Sequence, residues 1–230
     1  MPKSKAALAL LLLVPAPSLG VLIGMVWLPH TPLGTTLFAA CKIWTLALPL
    51  AWLFFVERVR FHIPLPDLRS AAIGLASGLF IAAAIAAVYF SAGDALVDRT
   101  LIAARIRSIG LDSPLAYLGG ALYWILVNSV LEEVVWRWFC LRQCERLLPA
   151  PLAILGSAAF FTLHHILALS VLLPPAALVV GSLGVFLGGT LWSLMVLRFR
   201  SLWPGYLSHA VVDGCIFGLG AWLAFGGTGA

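Results

Sequence analysis

Seven apolar stretches, each long enough to cross a bilayer, follow one another along this chain. They run over Ala6–Leu28, Thr35–Val56, Ala71–Tyr89, Leu115–Leu148, Leu152–Leu172, Pro175–Leu197 and Trp203–Phe225. A helix crosses a ~30 Å hydrocarbon core with ~20 predominantly apolar residues. A water-facing surface cannot be built around so many such segments. Of the 230 residues, 62% are hydrophobic and 10% are charged, against roughly 45–50% and about 25% in a soluble domain. A soluble enzyme, a disordered chain and a disulfide-stapled secreted domain are excluded. The expectation is an all-α, polytopic transmembrane bundle of about seven spans, forming a single integral membrane domain over residues 1–230.

The first stretch imitates a signal peptide, with Lys3 and Lys5 before an Ala/Leu run. The apolar run resumes at Val21 and no small-residue cleavage site intervenes, so it reads as a retained first span, kinked at Pro15 and Pro17. Two connections are polar. Glu57–Arg69 carries Arg58, Arg60, Pro64, Pro66 and Asp67, and Ser91–Pro114 has the spacing of a short amphipathic surface helix. Lys and Arg sort unequally between the two sides. Lys3, Lys5, Arg58, Arg60, Arg69, Arg137, Arg142, Arg146, Arg198 and Arg200 fall on the side of the N-terminus; Arg99, Arg105 and Arg107 fall opposite. The positive-inside bias therefore places the N-terminus in the cytoplasm. The net charge of +5 is accounted for by these loops, with no nucleic-acid partner implied. Cys41, Cys140, Cys144 and Cys215 form no C-x-x-C pair and read as small apolar fillers.

Ionisable groups inside spans cost roughly 2.5–3.5 kcal/mol each, so each one demands a reason. The fourth span has Glu132, Glu133 and Arg137; the fifth has His164 and His165; the seventh has His209 and Asp213. Counted from the helix ends at ~1.5 Å per residue, the three groups reach comparable depths in the cytoplasmic half of the bilayer. Glu133 and Arg137 are i,i+4 neighbours in the favourable order for an ion pair, which leaves Glu132 for another task. His209 and Asp213 share a face, whereas the adjacent His164 and His165 point apart, so only one of them is expected to face the site. A carboxylate and an imidazole sharing a water form a general-base arrangement, and a second histidine opposite can hold an oxyanion. Hydrolysis inside the membrane is the chemistry these residues favour. Zinc is the competing reading, because Glu and His also ligate metals, although no H-E-x-x-H spacing is present. A proton or solute pathway would use similar residues, but no internal repeat or pair of broken helices supports one.

In chain order the motifs are Glu132-Glu133-Val-Val-Trp-Arg137, Phe161-Thr-Leu-His-His165 and His209-Ala-Val-Val-Asp213. This order resembles the CPBP family of intramembrane proteases, which includes CAAX endoproteases and bacterial immunity and processing proteins. The resemblance covers about 115–218, taken as the catalytic core, and leaves the first three spans without a specific motif. It implies peptide-bond hydrolysis by a glutamate-activated water: Glu132 as base, His165 as its partner on the water, and His209 and Asp213 on the oxyanion side. Glu133 and Arg137 would be supporting groups, with Phe161 opening the second motif. Phe160-x-x-x-His164 fits that motif too; His165 is preferred because Phe-Phe-x-x-x-His is a common form. Asp213 departs from the Asn of many members, and an ionised carboxylate cannot donate to an oxyanion.

The glutamate mechanism needs no metal and no cofactor, and it is preferred here to the zinc version. The resemblance further implies a membrane-anchored or lipid-modified protein substrate cut near its C-terminus, as in the branch that processes C-terminal sorting tails. The short chain without long loops suggests a bacterial source, and with the seven spans the expected location is multi-pass in a bacterial inner membrane. A non-proteolytic immunity scaffold or transporter is the alternative. Among the remaining residues, Trp136, Trp138 and Trp203 read as interfacial anchors. Arg137 either snorkels to the headgroups or joins the site. Gly181, Gly184, Gly188 and Gly189 read as a close helix-packing face.

Overall fold

The computed structural model describes residues 2–58 and 65–226, apart from the side chain of Asp94. Arg60 and Pro64 of the first polar connection lie outside the described residues. The described chain is helical throughout, without a strand. Its helices are α1 (Lys3–Trp27), α2 (Pro32–Glu57), α3 (Leu68–Leu96), α4 (Arg99–Ser108), α5 (Pro114–Leu147), α6 (Ala150–Leu172), α7 (Pro175–Phe199) and α8 (Trp203–Phe225). All but α4 are long and apolar enough to cross a membrane, giving seven such helices among the described residues. The protein is an integral multi-pass membrane protein. The short α4 is the amphipathic helix expected between the third and fourth spans.

The helix starts follow from local chemistry. Thr31, Asp67, Asp98 and Ser113 each accept a hydrogen bond from a first-turn amide of the helix that follows. Proline stands in the first turn of α2, α5, α6, α7 and α8, where its missing N–H costs nothing. At Pro15 the α winding of α1 is interrupted, but Val14 keeps helical dihedrals and donates to the Leu10 carbonyl. Four stretches widen into π winding: Leu22–Trp27, Trp52–Glu57, Tyr123–Asn128 and Glu133–Cys140. Such bulges recur at functional sites, and here the last one carries Glu133 and Arg137.

The close helix crossing lies on α3 and not on the glycines of α7. A Cβ at Gly78 would stand 2.8 Å from the Ser208 carbonyl oxygen, and one at Gly74 would stand 2.5 Å from that of Pro204. These two glycines, four apart, bring α3 directly against the turn of α8 that ends in His209. On α7, Gly184 has nothing within 4 Å, whereas a Cβ at Gly189 would stand 3.1 Å from Arg137 Nη2. Only Gly189 therefore makes room for the site. The far end of α2 is tied to α5 by Glu57, which accepts from both Arg146 guanidinium nitrogens at 2.7 and 3.1 Å and from Gln143 at 3.0 Å.

Candidate active site

The three motif-bearing helices, α5, α6 and α8, meet at their motif residues. Glu133 is fully buried on α5, and its Oε1 lies 3.3 Å from Arg137 Nη1. The same oxygen accepts from His209 Nδ1 of α8 at 3.0 Å. One carboxylate thus holds a cation from its own helix and an imidazole from another. Arg137 is 1% exposed. Its guanidinium lies 4.0 Å over the Phe161 ring and 5.0 Å from the Trp192 ring. It belongs to the interior and does not snorkel to the headgroups: it lies one turn from Glu133 on the same face and its guanidinium is held by that carboxylate and the two rings. Aromatic faces supply contacts that water would otherwise make.

Trp136 is likewise no interfacial anchor. It is buried, stacks on His164 with ring centroids 5.3 Å apart, and packs edge-on against Phe161. Trp192, which the motifs do not include, stacks on His209 at 4.0 Å and donates from Nε1 to Ser208 Oγ at 3.0 Å. These contacts fix the plane of the His209 ring. Its Nε2 lies 3.8 Å from Glu132 Oε2 and 3.7 Å from Asp213 Oδ2. Asp213 in turn accepts from Ser129 Oγ at 2.7 Å.

Both histidines of α6 stand beside Glu132, against the expectation that only one faces the site. Ligand atoms of Glu132, His164 and His165 all lie within 4.8 Å of one another. Residues ~100° apart on a helix can reach one point on a neighbouring helix when that point faces the gap between them. His165 Nδ1 donates to the Phe161 carbonyl at 2.9 Å. A carbonyl only accepts, so this contact assigns the Nδ1 proton and leaves Nε2 as the working nitrogen. His164 Nδ1 is buried with no hydrogen-bond partner among the described residues. Two histidines and a carboxylate with an open side also form a donor set that suits a catalytic zinc ion.

Two features of the site carry no motif signal. A Cβ at Gly205 would stand 2.8 Å from Glu133 Oε2, so α8 can deliver His209 only because this position is bare. Lys42 of α2 donates to Asn128 Oδ1 at 2.7 Å and lines a cavity of about 70 Å³ together with Glu132 and His164. Its one signal in the sequence is a lysine inside a span.

A membrane-embedded helical bundle with a buried Glu–His–Arg cluster and a second carboxylate open to a cavity defines a class: an intramembrane hydrolase-type site. Residues 114–215 match the family model of type II CAAX prenyl endopeptidases, Rce1-like. The match agrees with the resemblance carried by the order of the three motifs, and it supports intramembrane endopeptidase activity on membrane-associated protein substrates. No curated protein and no solved structure matches the chain.

Proposed function

We propose that this protein hydrolyses a peptide bond in a membrane-anchored or lipid-modified protein, near the substrate's C-terminus, by means of a water activated by Glu132 and His165. The observation that carries this reading is the convergence of imidazoles from two other helices on Glu132: ligand atoms of His165 and Glu132 lie within 4.8 Å of each other, and His209 Nε2 lies 3.8 Å from Glu132 Oε2. Glu132 accepts the proton of the water, and His165 Nε2 orients it. The tetrahedral intermediate then faces His209, whose ring is fixed by Glu133 on one edge and Trp192 on one face. Such fixed donors are worth most where water is excluded. Glu132 finally returns its proton to the departing amine. Glu133 and Arg137 are positioning residues. Asp213 acts on His209 from the side opposite Glu133. The catalytic core corresponds to residues 115–218, within one domain over 1–230. The Lys/Arg bias supports a cytoplasmic N-terminus, and the short chain without long loops is the ground for proposing a bacterial inner membrane.

The zinc version of the same hydrolysis has its own support in the spacing of Glu132, His164 and His165. Those three residues would hold the ion, which would polarise the scissile carbonyl and acidify a bound water. The glutamate reading is preferred because ligation would occupy Glu132, and the other nearby carboxylate, Glu133, is already committed to Arg137 and His209. Quantitative mass spectrometry of new protein C-termini in membranes tests the proposal, with wild type compared against Glu132→Gln. Fragments present in wild type and absent in the variant are expected. Fragments that persist in the variant would overturn the assignment, and stoichiometric zinc in the purified protein would replace the glutamate mechanism by the metal one.

A further inference from the structure

Asn128 is buried at the end of a π-wound stretch of α5, one turn before Glu132. A primary amide carries one acceptor oxygen and two N–H donors, and a buried one is expected to use them all. The acceptor is in use: Asn128 Oδ1 lies 2.7 Å from Lys42 Nζ of α2. An ammonium only donates, so this contact decides which way the amide is turned, with Oδ1 toward Lys42 and Nδ2 away from it. Lys42 is held there in its turn by the Glu132 carboxylate, which lines the same cavity and attracts it. The donors are not in use. Nδ2 makes no hydrogen bond among the described residues, yet unlike His164 Nδ1 it is not sealed in.

The surroundings say where those open N–H bonds stand. Asn128 and Glu132 are i,i+4 on α5, so they share a face one turn, ~5.4 Å, apart. Ser129, next in the chain, turns toward α8, where its hydroxyl donates to Asp213 at 2.7 Å. Asn128 thus stands on the α2 side of Glu132 and Ser129 on the α8 side. An oxyanion is held best by two converging donors, and His209 supplies one. A second is not found on α8. Asp213 accepts from Ser129, and a carboxylate does not donate. Trp192 Nε1 is spent on Ser208, and the Arg137 guanidinium is taken up by Glu133, Phe161 and Trp192. Asn128 Nδ2 is an oriented and unspent donor beside the base, and the ammonium on its Oδ1 polarises the amide and strengthens its N–H bonds.

We propose that Asn128 is a further catalytic residue, donating from Nδ2 to the oxyanion that forms when the water on Glu132 attacks the scissile carbonyl, and that Lys42 is the positioning residue that orients its amide. This deepens the proteolytic reading of Glu132 and rests on it. No proton leaves Asn128. The water oxygen bonds to the carbonyl carbon while Glu132 takes its proton, and the carbonyl electron pair moves onto the oxygen facing Nδ2. The pair returns as the C–N bond breaks and the departing amine takes the proton from Glu132.

The test uses the full-length protein in detergent micelles and a quenched fluorescent peptide spanning a cut mapped from Glu132-dependent fragments. Asn128→Ala should lower kcat ~100- to 1,000-fold, the effect of one oxyanion donor, with KM nearly unchanged. Asn128→Asp decides between catalysis and structure, because it keeps an acceptor for Lys42 and loses both N–H bonds. It should melt close to wild type and be at least as slow as Asn128→Ala. Lys42→Met should cost less than either. Wild-type kcat in Asn128→Asp would make Asn128 an acceptor for Lys42 alone and overturn the inference. A loss confined to KM would assign the amide to ground-state binding, and a greater loss in Lys42→Met than in Asn128→Ala would assign the contact to the ammonium; either result also overturns it. Absence of any Glu132-dependent fragment sinks the protease reading and the inference with it, whereas fragments that need Glu132 but not the Asn128 amide sink the inference alone.

Discussion

Removing the guanidinium of Arg137 isolates the interaction that organises the site. Arg137 is 1% exposed and Glu133 is fully buried, so solvent does not screen their 3.3 Å contact. After Arg137→Met, Glu133 Oε1 keeps only His209 Nδ1, and Oε2 has no hydrogen-bond partner among the described residues. A buried charge that loses its partner costs about 3–5 kcal/mol. A chain of this size loses roughly 2–4 °C of melting midpoint per kcal/mol, so Arg137→Met should melt about 6–20 °C below wild type. Glu133→Gln should be destabilised in the same way, because it leaves Arg137 with ring contacts alone. The double variant removes both charges at once and should lie close to one single variant, so the coupling should be about as large as one single loss, ~3 kcal/mol or more. The assay is thermal unfolding in detergent, followed by tryptophan fluorescence, and it needs no substrate. Additive losses, with the double variant melting at the sum of the two shifts, would refute the claim that these residues act as a unit.

Gly205→Ala drives a methyl to 2.8 Å from Glu133 Oε2. It should cost about 1–3 kcal/mol and lower cleavage roughly tenfold as His209 shifts by about half an ångström. Gly184→Ala, with nothing within 4 Å, should leave melting and cleavage unchanged. Glu57→Gln weakens the two contacts to Arg146 at 2.7 and 3.1 Å. It should lower stability by about 1–2 kcal/mol in the same melting assay, a reduced figure because Arg146 is partly exposed. His165→Ala should lower cleavage by ~100-fold or more, and His164→Ala by less than tenfold; equal losses, each with zinc released, would point to a shared metal.

The spans were legible because length and apolarity are one-dimensional quantities. The spans expected to begin at Thr35, Ala71 and Leu115 begin slightly earlier, where Thr31, Asp67 and Ser113 cap the helices. The buried charges stood out for a related reason: in a bilayer any ionisable residue is an anomaly. Glu132, Glu133, His209 and Asp213 could therefore be singled out by their place in the spans, His165 is preferred to His164 on the family resemblance, and the structure brings all five together. Which neighbour each would choose was not legible. Helical spacing pairs Glu133 with Arg137, but it cannot show that the same oxygen also receives His209 from a helix 76 residues away. Nor could spacing show that Phe161 and Trp192, from two other helices, enclose the Arg137 guanidinium.

The harder losses have a common cause. In water, burial separates apolar from polar residues, so hydrophobic periodicity reports the core. In lipid the hydrocarbon outside is as apolar as a packed interior. Trp136, 1% exposed, and Phe55, 80% exposed, are alike as sequence. The inner surface of such a bundle is marked instead by what lipid cannot tolerate and by what close approach requires, namely polar side chains and bare backbone. Lys42 is of the first kind; Gly74, Gly78 and Gly205 are of the second. Three of these four lie outside the matched segment 114–215 or act through contacts with residues beyond it. The matched segment thus carries the three motifs, while α2 brings Lys42 to the cavity wall and α3 supplies a seat for α8. Differences in substrate among chains that share the motifs are then to be sought in those outer helices, where sequence can change without disturbing Glu132, His165 or His209.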